Sequence, residues 1–100
     1  MFVVVASLDE IPEREARIFE VGSEWIALCK VQGEIYAVED FCTHDLGPLG
    51  EGCLEGYEIE CPRHRARFDV RDGAVTRAPA VSPIRCFPVK VENGEVFVRI

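Results

Sequence analysis

Both histidines of this chain follow a cysteine closely, as Cys42-Thr43-His44 and Cys61-Pro62-Arg63-His64. That pairing constrains the fold more than any other feature, because each pair lies in a bend. The first runs on through Gly47-Pro48-Leu49-Gly50-Glu51-Gly52, a loop dense in turn-forming residues, and Pro62 makes the second turn too. Short Cys/His spacings let two side chains from one bend reach the same metal centre. Sixteen residues intervene between the two pairs, so the fold must bring two loops to a shared point. A random placement of two histidines would seldom set each at ligand spacing from a cysteine.

The rest of the chain is punctuated by turn signals. Gly22-Ser23, Gln32-Gly33, Asp72-Gly73 and Asn93-Gly94 each separate stretches rich in Val, Ile and Phe. Such dipeptides supply the positive φ that two-residue hairpins require. The pattern predicts strands near residues 2–6, 15–21, 24–31, 34–39, 57–61, 67–70, 74–78, 86–92 and 95–99. Residues 24–31 are nearly continuously apolar, as a buried strand would be. Only Ser7-Leu8-Asp9-Glu10 reads as helical, a capping box cut short by Pro12. The fold class predicted is all-β, a sandwich or barrel.

Composition narrows the function. One hundred residues make a single small domain with a thin core, which a cofactor would help to hold together. A formal net charge of -7 argues against a nucleic-acid binder, which needs a basic face. No apolar run approaches the ~18 residues of a membrane span. The opening Met1-Phe2-Val3-Val4-Val5 lacks the basic start and cleavage site of a signal peptide. A cytoplasmic protein is expected, and the cytosol keeps thiols reduced, so some of its five cysteines point to metal more than to disulfides.

The paired motif resembles the Rieske-type ferredoxins. Arg67-Phe68-Asp69-Val70-Arg71-Asp72-Gly73 is similar to the strand and hairpin after the second loop in that family, and Ala78-Pro79-Ala80 to its proline-containing loop over one side of the cluster. The resemblance covers nearly the whole chain. It implies a three-sheet antiparallel sandwich, residues 1–100 forming one Rieske domain with a cluster-binding subdomain at roughly 40–80. It implies one 2Fe–2S cluster, with Cys42 and Cys61 on the inner iron and His44 and His64 on the outer. Respiratory relatives add a disulfide between the loops; the matching positions here are Gly47 and Arg63, so that bridge is not expected.

Such a ligand set has a physical consequence. Two thiolates cancel the charge of an oxidised 2Fe–2S core and two neutral imidazoles add none, so reduction starts from a neutral site. A four-cysteine site would start negative, which is harder in a low-dielectric pocket. Histidine ligation therefore raises the potential to roughly -150 to +300 mV, from about -400 mV. A structural zinc site built on the same four residues is the plainer alternative, although zinc sites more often pair Cys-x-x-Cys with closely spaced histidines.

Missing features direct the function towards a carrier rather than an enzyme. With both histidines engaged, none remains for the mononuclear iron of an oxygenase. No Gly-x-Gly-x-x-Gly offers a dinucleotide site. The expectation is a monomeric one-electron carrier between a flavin-dependent reductase and a terminal, dioxygenase-like oxidoreductase. A nitrite reductase small subunit and an accessory protein of Fe–S assembly stay open as alternatives. Cys29, Cys53 and Cys86 are read as small buried hydrophobes. Arg63, Arg65 and Arg67 surround His64, either as solvated side chains on a loop and strand or as a basic docking collar. High-potential relatives place a serine and a tyrosine where this chain has Ala66 and Phe68, so a low Rieske potential is expected.

Overall fold

The computed structural model describes residues 1–100. Its eleven strands form three antiparallel sheets, the all-β class that the turn spacing predicts in the three-sheet form that the resemblance implies. The first sheet runs β1 (Phe2–Ser7), β11 (Glu95–Arg99), β10 (Val89–Glu92). The second runs β2 (Ala16–Val21), β3 (Glu24–Val31), β4 (Glu34–Glu39), β9 (Cys86–Phe87). The third contains β5 (Leu54–Glu55), β6 (Glu58–Glu60), β7 (Arg67–Asp69) and β8 (Val75–Arg77) in sequence order. The one helical turn, Leu8–Glu10, begins where Glu10 accepts the Ser7 N–H at 2.7 Å. It is not long enough to cross a membrane, and no helix of the structure is.

The turn dipeptides fix the registers. Val21 faces Glu24, Val31 faces Glu34 and Glu92 faces Glu95, each across two residues. Gln32 and Gly33 both hold positive φ, as do Asn93 and Gly94, the geometry that suits the twist of a hairpin. Two expectations shift. The predicted strand 86–92 breaks at Pro88, which cannot donate to a ladder, giving β9 and β10. The short β5 was not foreseen, because Leu54–Glu55 alone carries too little pattern to read.

Continuous hydrophobicity in β3 has a plain cause: the strand is buried on both faces. Ile26 and Leu28 pack with Ala6, Ile11, Val96 and Val98 against the first sheet. Ala27, Cys29 and Val31 join Val38, Ile59, Phe68, Cys42 and Cys61 on the other side. The third sheet and both cysteine loops are thus seated on the second sheet. Tyr57 reinforces that junction, edge-on to Tyr36 with ring centres 5.9 Å apart and covered by the Arg71 guanidinium at 4.0 Å. Within the third sheet, Arg67 joins Glu55, Glu58 and Glu60 at 2.9–3.1 Å.

Gly73 closes the β7–β8 hairpin at φ 81° with its α-carbon against the Ile84 carbonyl, where a side chain has no room. Gly56 has a similar φ of 58° but open space around it. Gly73→Ala should therefore cost about 2–4 kcal/mol in urea unfolding, from strain and overpacking together, whereas Gly56→Ala should cost about 1 kcal/mol from φ alone. Equal losses would contradict the packing described for Gly73.

Candidate metal centre

The two histidine-bearing bends share one backbone frame. In the first, the Leu46 N–H donates to the Cys42 carbonyl at 2.7 Å and the Cys42 N–H donates to the Gly47 carbonyl at 2.8 Å. In the second, Arg65 donates to Cys61 at 2.9 Å and Cys61 to Ala66 at 2.8 Å. Each is an α-turn opened by a cysteine and closed by a left-handed residue, Leu46 at φ 66° and Arg65 at φ 64°. The sequence conceals this equivalence. His44 takes the second place after its cysteine and His64 the third, so the spacings differ while the turns do not.

The frame buries sulfur and exposes imidazole. Cys42 and Cys61 are fully buried. Their sulfurs and one carboxylate oxygen of Asp45 lie within 4.8 Å of one another. The His44 and His64 rings are exposed and meet edge-on, 5.2 Å between centres and 90° between planes. All four residues singled out in the sequence thus come to one end of the molecule. The Thr43 hydroxyl donates to the Ser82 carbonyl at 2.6 Å, which draws the segment after Ala78-Pro79-Ala80 against the first loop.

Asp45, which the sequence reading passed over, is the most connected polar group here. It accepts from Arg63 Nε at 2.7 Å, Arg63 Nη2 at 2.9 Å and the Gly47 N–H at 3.1 Å. His64 Nδ1 lies 3.1 Å away and the Cys61 sulfur 3.4 Å. The Arg63 hydrogen bonds hold its carboxyl far below the usual carboxylate range, against a smaller opposing effect of desolvation. The available signal was charge: an acid directly follows His44 and an arginine directly precedes His64. At Cys42, burial pushes the thiol up, while the N–H groups of Asp45 and His44 oppose it by favouring thiolate.

One open reading is narrowed here and one expectation is corrected. The three arginines do not form a free collar. Arg63 is tied to Asp45 and Arg67 to its three glutamates, which leaves Arg65 alone without an ion-pair partner. Of the remaining cysteines only Cys29 is buried; Cys53 and Cys86 are exposed, because their short segments lie at sheet edges and not between layers. Burial raises the Cys29 thiol to about 12; the Cys86 thiol rises to about 11 because its sulfur turns in towards the Val70 carbonyl while the rest of the residue stays exposed.

The family model of the Rieske [2Fe-2S] domain matches residues 1–88. The chain belongs to the Rieske family. It is 42% identical over 99 residues to the ferredoxin component of the naphthalene 1,2-dioxygenase/salicylate 5-hydroxylase systems of Ralstonia sp, covering 99% of this chain and 95% of the relative. The naphthalene 1,2-dioxygenase ferredoxin component of Pseudomonas putida is 40% identical, with 97% and 93% covered. Among solved structures, the ferredoxin of carbazole 1,9a-dioxygenase from Nocardioides aromaticivorans superposes with a TM-score of 0.94 at 35% identity, over 98% of this chain and 96% of that one. A complex of reduced oxygenase and oxidised ferredoxin of carbazole 1,9a-dioxygenase gives 0.90 at 36%, over 97% and 91%.

Rieske membership implies one 2Fe–2S cluster, and the residues present fit it. Two buried sulfurs and two surface imidazoles, one of each from either loop, are the donor set such a centre takes.

Arg65 holds a left-handed φ of 64°, a conformation that glycine adopts without strain. Arg65→Gly should raise the urea midpoint, by the equivalent of about 0.5–1 kcal/mol: relieved strain, less the entropy glycine adds to the unfolded chain. A lowered midpoint would mean that the arginine side chain contributes contacts of its own.

Proposed function

We propose that this Rieske protein is a monomeric, cytoplasmic one-electron carrier that takes electrons from a flavin-dependent reductase and delivers them to a terminal oxygenase. Cys42, His44, Cys61 and His64 hold its cluster, in a subdomain of about residues 40–80 within one domain spanning the chain. The observation that carries this reading is the separation of donors: both cysteines are fully buried, while the His64 side chain is 54% exposed. When bound, a Rieske-type centre supplies reversible one-electron chemistry. Cys42 and Cys61 hold it on the core side and keep water from that face. His44 and His64 present imidazole edges outward, the only side from which a partner could approach closely. The relatives named as ferredoxin components of dioxygenase systems support the same role.

The docking face has chemistry of its own. Leu46 is 67% exposed and Val81 90% exposed, on the two segments flanking the histidines, and Arg65 supplies the unpaired cation. A partner surface with an apolar centre and a carboxylate facing Arg65 would complement it. Arg65→Glu should slow reduction of the oxygenase at low salt and leave the cluster spectrum intact.

The ligands are tested by spectrum. Alanine at Cys42, His44, Cys61 or His64 should abolish the visible colour and the low average g-value of the reduced protein. Cys29→Ala, Cys53→Ser and Cys86→Ala should each retain both. Loss of the cluster in any of these last three would mean that the ligand set is wrong.

The potential follows from two missing hydroxyls. Ala66 and Phe68 are fully buried beside Cys61 and cannot donate from their side chains. A hydrogen bond to a charged group is worth ~1.5–3 kcal/mol; if about a third of that differs between redox states, each absent hydroxyl lowers the potential by roughly 20–45 mV. One exposed arginine about 8 Å away returns only ~20 mV before salt screening. Voltammetry should place the protein in the lower half of the Rieske range, with Ala66→Ser/Phe68→Tyr higher. A wild-type value near the top of the range would refute the argument.

A further inference from the structure

We infer that Asp45 and Arg63 form a non-covalent clamp that holds the two cluster loops at their working separation. The inference rests on the ligand reading above and adds two positioning residues to it. Its basis is the shared frame of the turns. Counted from its cysteine, the second place holds His44 in one loop and Arg63 in the other. The third place holds Asp45 in one and His64 in the other. Across the molecule, second place meets third place twice: His44 meets His64, and Arg63 meets Asp45. The positions that the histidines leave free are the ones filled by the ion pair.

The contact is built rather than incidental. Arg63 uses Nε and Nη2 on the two oxygens of Asp45, at 2.7 and 2.9 Å, the forked geometry that lysine cannot reproduce. The same Nη2 donates to the Pro48 carbonyl at 2.9 Å, so the guanidinium holds the first loop at two points. Gly47 provides the seat. A β-carbon there would lie 2.5 Å from Arg63 Cζ, and Nη2 and Nε would be only 2.7 and 2.8 Å away. A guanidinium laid over a glycine thus spans the gap between the two loops.

The ion pair carries two charges that cancel only together. Asp45 lies 3.4 Å from the Cys61 sulfur, so either charge left alone would act on the cluster at short range. The clamp therefore holds the loops without biasing the potential, provided that both members are present.

The test uses the loaded protein with Asp45→Asn, Arg63→Gln and Arg63→Lys, measuring cluster loss to a chelator and midpoint potential. All three should release the cluster faster, by about tenfold for the neutral variants. The potential should rise in Asp45→Asn, which leaves the guanidinium uncompensated, and fall in Arg63→Gln. Arg63→Lys should lose retention while keeping a potential near wild type, because the charge stays and the fork is lost. Unchanged retention in all three, or shifts of the same sign in the two neutral variants, would overturn the clamp. A wild-type protein that takes up no 2Fe–2S cluster would instead overturn the ligand reading, so the two failures are distinct.

Discussion

Two buried cysteine sulfurs held close together are the constraint on which this end of the molecule depends. Cys42 and Cys61 come from loops far apart in the chain, yet their sulfurs lie within 4.8 Å of each other and of Asp45. Burial disfavours charge on the Cys42 sulfur, so a thiolate ligand in this dry site has to be stabilised by its surroundings. The structure around them reads as compensation. N–H groups of His44 and Asp45 face the Cys42 sulfur, each loop closes on its own cysteine carbonyl, and the second sheet supplies a floor of Ala27, Cys29 and Val38.

That floor was visible in the sequence for a local reason. Residues 24–31 are apolar at odd and even positions alike, and among strands such a pattern suits one covered on both sides. The hairpins at Gln32-Gly33 and Asn93-Gly94 were equally legible, because their φ values are set by the residues themselves. Features settled by tertiary contact were not. The split at Pro88, the two-residue β5 and the exposure of Cys53 and Cys86 depend on which segment reaches a sheet edge, and composition does not record that.

The site shows the same division. The four Cys and His positions stood out by spacing, and the structure gathers them at one end. The three arginines stood out as well, but their meaning changed once their partners were known. Arg67 became the centre of a glutamate cluster within the third sheet, and Arg63 half of a cross-loop pair. Asp45 was overlooked because an aspartate after a histidine looks like any solvated loop residue. Its place becomes apparent only when the Cys-x-His and Cys-x-x-His turns are superposed on their common hydrogen bonds.

The strand β3 also determines how the molecule comes apart. Alternate residues along one backbone enter two separate hydrophobic cores, Ile26 and Leu28 one, Ala27 and Cys29 the other. A strand cannot release one set of side chains while holding the other in place. The cores therefore melt as one cooperative unit, with the amides of β3 and β4 among the last to exchange with solvent. The cysteine loops and the β1–β11 pair are therefore coupled through this shared strand, which contributes side chains to both cores. The exposed histidines thus sit on loops whose placement derives from a strand buried behind them.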